Sequence, residues 1–342
     1  MMKKVGIRDV ATAAQVSVTT VSHALNETHA SRVNPQTRAH IQSVAAQLGY
    51  SPNKLASGLR TQRSNFLGLV SDEIATTPFA GEMLQGAQDA AYERGWLVMI
   101  LDSSMDLELE KHQINFLLQH QIDGLIYARM FHQEVVLPAQ LAKTPVVLLD
   151  AVSGDGSNSS VVPDEVAAAS TATTALIEAG HRRIGFINNR DDIPATHARL
   201  HGYREALDKH QIDFDPSLVI TAAADASGGR VAALQMLAAE TRPTAVFCFN
   251  DRMAMGAYQA AGSLGLRIPH DLSVIGIDNL ELIADELWPG LTTVALPHYE
   301  MGSWAAERLL DEIEGKAGAS QLHQKLDCPL IERASIAPPT PG

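Results

Sequence analysis

The chain has 342 residues and a formal net charge of −13, which is too long for one ordinary hydrophobic core and too acidic for a surface that binds nucleic acid throughout. Residues 1–63, however, carry eight Lys or Arg against two acidic residues, a net of +6, which leaves −19 on the remainder. A basic head on an acidic body is typical of a DNA-binding module joined to a domain that avoids phosphate. On charge alone, a basic face that is merely solvated remains the alternative.

Cysteine content and hydropathy indicate the cellular compartment of the protein. Cys248 and Cys328 are too few for a disulfide framework and lack metal-site spacing. The N-terminus has no apolar run of signal-peptide length, and no segment reaches about 18 uninterrupted apolar residues. We therefore expect a cytoplasmic protein with no metal, no cofactor and no membrane partner.

Three short helices are predicted near the N-terminus. Apolar residues recur at helical spacing from Ile7 to Ala14 and again from Val18 to Leu25, so two helices meet at a tight turn. Ser17 suits the N-cap of the second helix because its hydroxyl can accept from an amide of the first turn. A third helix is expected to begin at Asn34-Pro35, with Asn as the cap, and to end at Gly49.

After Arg63 the pattern becomes that of an α/β fold. Short apolar runs alternate with amphipathic stretches, which favours parallel strands joined by helices. Two half-sized parallel sheets fit the length better than one very wide sheet. A ligand would then lie where strand carboxyl ends face a cleft. The predicted strands are 66–70, 96–101, 125–128, 146–149, 184–187, 218–221, 245–249 and 274–277.

The run from Ile7 to Asn26, with 49–53 and 55–60, resembles the headpiece of the lac repressor and galactose repressor (LacI/GalR) family. One departure is Gln15, where the family usually has Gly or Asn at the turn. A residue with a Cβ costs about 1 kcal/mol in a left-handed conformation. The body is similar to the same family at 180–186, 199–203, 243–247, 250–256, 273–279 and 291–294.

The resemblance implies a domain order. A helix-turn-helix headpiece occupies 1–50, and a hinge helix with its linker occupies 51–63. A two-lobed domain like that of periplasmic binding proteins occupies 64–342, with the chain crossing between lobes three times. Lobe 1 comprises about 64–163 and 295–325, and lobe 2 comprises about 164–294 and 326–342.

The resemblance also implies DNA contacts. The second helix would lie in the major groove, and the hinge helices of two copies would pack in the minor groove. The implied base contacts are Val18, Thr19, His23, Ala56 and Leu59, and the implied phosphate contacts are Ser17, Thr20, Ser22 and Asn26. The alternatives are a buried core position for Val18 and an ordinary linker or core position for Leu59.

The effector pocket carried over from the family consists of Arg199, Asn250, Asp278, Phe79, Asp150 and Asp164. Carboxylates accept from paired hydroxyls and Arg donates from a planar fork, which suits a neutral polyol such as a sugar. The alternatives are a lobe-bridging ion pair for Arg199, an N-cap for Asn250, a helix-capping loop residue for Asp278, and a core position for Phe79.

Within the family, Val16 to His23 and Pro243 to Gly256 most resemble the purine repressor. Its purine pocket is not kept, because a second Arg and a Thr of that pocket are replaced by Ile193 and Ala195. Its stacking aromatic is replaced around 222–224. A sugar or sugar derivative is therefore the expected effector, and a purine- or nucleoside-responsive repressor of the same family is the alternative.

These observations predict a DNA-binding transcriptional regulator, expected to be a repressor, that binds a pseudo-palindromic operator as a homodimer under the control of a small ligand. A periplasmic solute-binding protein would need an export signal and would have no use for residues 1–60. An enzyme is disfavoured because no GxGxxG, GxxxxGK[ST] or GxSxG motif occurs. His197 and His201 have a spacing found in zinc helices, but without a third ligand.

Overall fold

The computed structural model describes residues 5–25, 32–50, 63–73, 77, 79–318 and 320–340. The chain divides into two compact units, residues 1–64 and residues 65–342. Within the described residues, no helix combines the length and apolar character needed to span a membrane.

The first unit contains the three predicted helices: α1 Ile7–Ala13, α2 Val18–Leu25 and α3 Pro35–Gln47. Both predicted caps are confirmed. The Ser17 hydroxyl accepts from the Thr20 amide at 3.0 Å, and the Asn34 side chain accepts from the Gln36 amide at 2.9 Å, with Pro35 at the first helical position. The small core holds Val10, Ala11, Ala14, Val21, Ala24, Ile41 and Ala45.

The turn between α1 and α2 is left-handed at Gln15, whose φ is +52°. The Val16 amide donates to the Ala11 carbonyl at 3.0 Å, closing the helix end in the manner of a Schellman motif. A Cβ-bearing residue therefore occupies the conformation that Gly adopts without strain, as the departure from the family pattern predicted.

The second unit contains two six-stranded sheets. The first has the order β11-β5-β4-β3-β1-β2, and all its strand pairs are parallel. Its strands are β1 Phe66–Ser71, β2 Leu97–Asp102, β3 Gly124–Val135, β4 Val146–Ser153, β5 Ser160–Pro163 and β11 His323–Leu326. Its α-helices are α4 Ala80–Glu93, α5 Leu107–Gln119 and α11 His298–Glu314.

The second sheet has the order β12-β10-β9-β8-β6-β7. It is parallel except for the short strand β12, which pairs antiparallel with β10. Its strands are β6 Ile184–Asn189, β7 Val219–Ala222, β8 Ala245–Cys248, β9 Ser273–Asp278, β10 Thr292–Ala295 and β12 Leu330–Ile331. Its α-helices are α6 Glu165–Glu178, α7 Pro194–Lys209, α8 Ala226–Leu237, α9 Asp251–Ser263 and α10 Glu281–Ala284.

The two sheets define two lobes, which confirms the predicted α/β class. The chain passes between the lobes after β5, after β10 and after β11. One core cluster surrounds the second sheet, and two clusters cover the faces of the first. Because both faces of each sheet are covered, polar groups concentrate at the strand ends that face the cleft.

Helices α4 and α11 approach until their backbones touch. A Cβ at Gly86 would lie 2.0 Å from the Tyr299 carbonyl oxygen, and one at Gly302 would lie 2.0 Å from the Met83 carbonyl oxygen. Only glycine permits this approach. The pair therefore forms a rigid side of lobe 1, and the N-terminus of α11 lies at a lobe crossing.

Candidate DNA-reading surface and interlobe cleft

Helix α2 has one buried and one exposed face. Val21 and Ala24 are fully buried, whereas Val18 is 41% exposed and Thr19 is exposed as well. His23 is half-buried. The alternative interpretation of Val18 as a core residue is therefore wrong, and its side chain is available to a thymine methyl group.

Three of the four residues predicted to contact phosphate, Ser17, Thr20 and Ser22, lie at or just before α2. Ser17 caps the helix, and its hydroxyl lies 2.8 Å from the Thr20 hydroxyl. Ser22 is exposed. Asn26, Ala56 and Leu59 lie outside the described residues, so these three contacts stay predictions. The exposed hydroxyls and the positive end of α2 make this edge suited to anionic phosphate.

In the second unit, Arg199 of α7 is the centre of the cleft. Its Nε donates to Glu165 Oε2 at 2.6 Å and its Nη2 to Glu165 Oε1 at 3.0 Å, forming a bidentate pair. Its Nη1 donates to the Phe249 carbonyl, and the guanidinium carbon lies 4.2 Å from the centroid of the Phe249 ring. Asp278 Oδ1 lies 4.0 Å from Nη2. In this structure most of the guanidinium N–H donors of Arg199 are thus bound to protein acceptors.

Asp278 ends β9, and Asp150 lies within β4 where its pairing with β3 changes register. Both have positive φ, +121° and +53° respectively, a strained conformation for residues with a Cβ. Burial raises the pKa of both carboxyls well above their usual range, and the Arg199 guanidinium partly opposes that rise. Strained backbone and perturbed carboxyl groups at the same residues are typical of a binding site.

Two further predicted pocket residues act as helix caps. Asn250 Oδ1 accepts from the Met253 amide at 2.8 Å at the start of α9, and its Nδ2 donates to the Ala224 carbonyl at 3.2 Å. Asp164 Oδ1 accepts from the Ala167 amide at 3.1 Å at the start of α6. The N-cap alternative for Asn250 thus describes its position in this structure.

Phe79 and His298 form an aromatic pair in the cleft. Phe79 precedes α4, and His298 is the first residue of α11, just after the second lobe crossing. Their rings are stacked, with centroids 4.4 Å apart and planes inclined by 7°. Burial, and secondarily the charge of Arg199, lower the pKa of His298 to about 4. The imidazole is therefore neutral at physiological pH.

Sequence reasoning missed two residues of this site, Glu165 and His298. Glu165 follows Asp164, and its acidity at the first turn of a helix is a common local feature. His298 follows the family-like segment 291–294 by four positions. Neither position carried a clear signal, because the strands that precede them, β5 and β10, are only four residues long and were not predicted.

Lobe 1 contributes a separate buried ionic cluster beside the cleft. Arg129 Nη2 donates to Glu110 Oε2 at 3.1 Å, and Nε lies 3.8 Å from Asp72 Oδ2. Tyr127 donates to Glu110 Oε1 at 2.7 Å. Asp72 Oδ1 also accepts from the Met130 amide at 3.1 Å. Because its members satisfy one another, the cluster holds the end of β1 against the middle of β3.

The positions that replace the purine pocket lie close to lobe 2's core. Ala195 is 3% exposed, and Ile193 packs against the same core at the N-cap of α7. Neither can supply a charge or a hydrogen bond through its side chain.

The remaining chemical candidates have ordinary structural surroundings. His197 Nε2 lies 2.5 Å from Asp192 Oδ1 on an exposed surface. Cys248 is fully buried in β8, and burial raises its thiol pKa, so it is not a nucleophile. Across the described ranges, no group of three or more His, Cys, Asp or Glu side chains has metal-binding geometry.

Comparisons with known proteins agree with this geometry. Residues 6–53 match bacterial regulatory proteins of the lacI family, and residues 173–336 match the periplasmic binding protein-like domain. The transcriptional repressor CytR of Escherichia coli is 34% identical over 330 residues, which cover 96% of this chain and 95% of that protein. The transcriptional repressor PurR of Aliivibrio salmonicida is 33% identical over 313 residues, with coverage of 91% and 92%.

Solved structures extend the likeness to the whole chain. The lac repressor dimer bound to operator and an anti-inducer superimposes with a TM-score of 0.80 at 27% identity, covering 98% of this chain and 100% of that one. The regulator CelR in complex with cellobiose gives a TM-score of 0.70 at 28% identity, covering 97% and 99%. The similarity therefore includes both the headpiece and the two-lobed body.

Proposed function

This chain belongs to the LacI family of bacterial regulatory proteins, and from that premise we propose that it is a cytoplasmic, non-enzymatic transcriptional repressor. It binds a pseudo-palindromic operator as a homodimer and responds to a small ligand held between its lobes. The DNA-binding part is carried by one observation above all. Helix α2 is capped and anchored by buried Val21 and Ala24, and it turns Val18 and Thr19 outward in a basic headpiece.

The ligand part is supported by the cleft at Arg199. The carboxyls of Asp150 and Asp278 and the neutral imidazole of His298 provide acceptors and donors for a polyhydroxyl compound. A relative whose structure holds cellobiose has the same two-lobed fold. We propose a sugar or sugar derivative as the effector, without a resident cofactor.

Control of operator affinity requires that the ligand prefer one lobe arrangement over the other. Ligand and operator affinities are then coupled reciprocally. Because the lobe crossings follow β5, β10 and β11, ligand contacts at Glu165 and His298 act directly on two of these connections. Lobe closure is thus the two-state element that transmits the signal.

The test uses the full chain. Selection from random duplex DNA followed by fluorescence anisotropy should yield a two-fold symmetric site bound far more tightly than unrelated DNA. Raising the salt should weaken both complexes, with a slope that counts phosphate contacts. Equal affinity for selected and unrelated DNA would contradict the proposal. Titrating a hit from a sugar screen into the complex then gives the sign of the response.

A further inference from the structure

Three buried polar atoms in the cleft have no hydrogen-bond partner among the described residues. They are Oδ1 of Asp150 and both ring nitrogens of His298. Asp150 is 5% exposed and His298 is 3% exposed. A buried polar atom left unsatisfied is costly, so such atoms call for a specific explanation. A bound ligand would satisfy all three.

Both residues lie within electrostatic reach of Arg199, which links them into one site. Arg199 opposes the burial-driven rise in the pKa of Asp150 and adds to the burial-driven fall in the pKa of His298. Neutral imidazole has one N–H donor and one acceptor nitrogen. Together, Asp150 and His298 therefore present two acceptors and one donor that no described side chain or backbone group uses.

Carboxyl groups surround these atoms, and the nearby cations are mostly engaged. Carboxyl groups of five residues lie in or beside the cleft: Asp72, Asp150, Glu165, Asp251 and Asp278. Three arginines nearby are already engaged with acidic or carbonyl groups: Arg129, Arg199 and Arg333. Arg252, at the exposed start of α9, exerts a charge effect that lowers the pKa of Asp278. Burial already opposes the ionisation of Asp150, Asp251 and Asp278. An anionic ligand would meet the same desolvation cost, while the three arginines are bound to other groups.

We propose, on the basis of the regulatory function above, that the cleft takes an uncharged polyhydroxyl effector and rejects its phosphorylated form. Effector hydroxyl groups donate to Asp150. They also donate to one ring nitrogen of His298 and accept from the other. His298 is thereby a specificity-determining residue. A free sugar and a nucleoside share this chemistry, and the second experiment separates them.

The first experiment needs no ligand. His298→Phe keeps an aromatic ring against Phe79 and removes both unpaired nitrogens. We expect the thermal midpoint of the unliganded full chain to rise by about 2–4 °C or more, because a buried unsatisfied group is lost. His112→Phe, the same change on the exposed face of α5, is the control and should not produce this rise. A lowered midpoint in His298→Phe would assign the imidazole a structural role and overturn the inference.

The second experiment compares matched pairs of compounds by thermal shift and calorimetry. Ribose, glucose, cellobiose, one purine nucleoside and one pyrimidine nucleoside are each tested beside their phosphorylated forms. A neutral member should raise the midpoint by the amount that its Kd and concentration dictate, and its phosphorylated form should not. His298→Phe should weaken that binding about tenfold or more, since a buried hydrogen bond is lost, whereas His112→Phe should leave it unchanged.

Each other outcome counts against the inference. A screen in which only phosphorylated compounds bind, or in which no neutral compound binds, overturns the assigned ligand class. A phosphorylated hit lost in Arg252→Ala would place an anion at the start of α9 instead. Neutral binding unaffected by His298→Phe removes the role of that residue. Operator binding, measured separately, persists in all of these cases unless the proposed function itself fails.

Discussion

Replacing Arg199 by methionine is expected to lower the free energy of unfolding of the two-lobed unit by about 3–5 kcal/mol. The side chains of Arg199 and Glu165 are 4% and 5% exposed, and their bidentate contacts are 2.6 and 3.0 Å long. Methionine fills much of the same volume, so the loss of charge dominates over cavity formation. The variant leaves Glu165, Asp150 and Asp278 close together without their shared cation.

The deficit should depend on pH in a defined direction. Burial already raises the pKa of Asp150 and Asp278, and Arg199 opposes that rise, so removing Arg199 raises both values further. The folded variant then holds protons that the unfolded chain, with carboxyl pKa values near about 4, has lost. The parent chain also holds protons on these buried carboxyls but, with its lower folded pKa values, releases them first as pH rises. The stability of the variant relative to the parent therefore falls above the parent's carboxyl pKa values, and the deficit at about pH 8 should exceed that at about pH 5.5.

The assay is urea unfolding followed by tryptophan fluorescence. All three tryptophans, Trp96, Trp288 and Trp304, lie in the second unit, so the signal reports on that unit alone. The matched control is Arg267→Met, which breaks a solvent-screened pair with Asp271 and should cost far less than Arg199→Met. Equal losses in the two variants, or a deficit in Arg199→Met that is the same at both pH values, would refute the reasoning.

Three further predictions concern packing and the headpiece. Gly86→Ala should destabilise the second unit by about 1–3 kcal/mol in urea unfolding, because its Cβ would meet the Tyr299 carbonyl. Gly81→Ala in the same helix meets no atom within 4 Å and should stabilise the unit by up to about 1 kcal/mol. Indistinguishable urea midpoints of the two variants would contradict this prediction. Ser17→Ala should cost the headpiece about 1 kcal/mol through loss of the α2 cap, read as faster amide hydrogen exchange in α2, and unchanged protection would count against it. His23→Ala should relax base preference at one position per half-site in a selection experiment, and an unaltered preference would assign His23 to packing or phosphate contact.

Much of the headpiece could be predicted because its determinants are local. The caps at Ser17 and Asn34 and the left-handed turn at Gln15 depend on residues within one or two helical turns. Apolar spacing then places Val21 and Ile41 in the core. Exposure of Val18 was less certain from the sequence, because a short helix has few apolar positions and any of them could have been buried.

The sheets were predicted in class but not in full. The long buried strands were visible as apolar runs, whereas β5, β10, β11 and β12 are two to four residues long and carry no distinct pattern. Short strands are defined by the partner they pair with, and pairing is a non-local property. These missed strands include those that end at the lobe crossings.

By itself, the sequence determined the division into a basic three-helix head and an acidic α/β body. The family resemblance assigned Arg199, Asp150 and Asp278 to a pocket at strand ends or following loops, whereas the structure places Arg199 within a helix and Asp150 within a strand. Only the tertiary structure decided which groups meet there. Glu165 pairs with Arg199 from 34 positions away. His298 stacks on Phe79 although most of the second sheet lies between the two residues in the sequence. Helix periods and caps are short-range, whereas the partners of a buried charge are chosen by how the chain crosses between lobes, which no local pattern encodes.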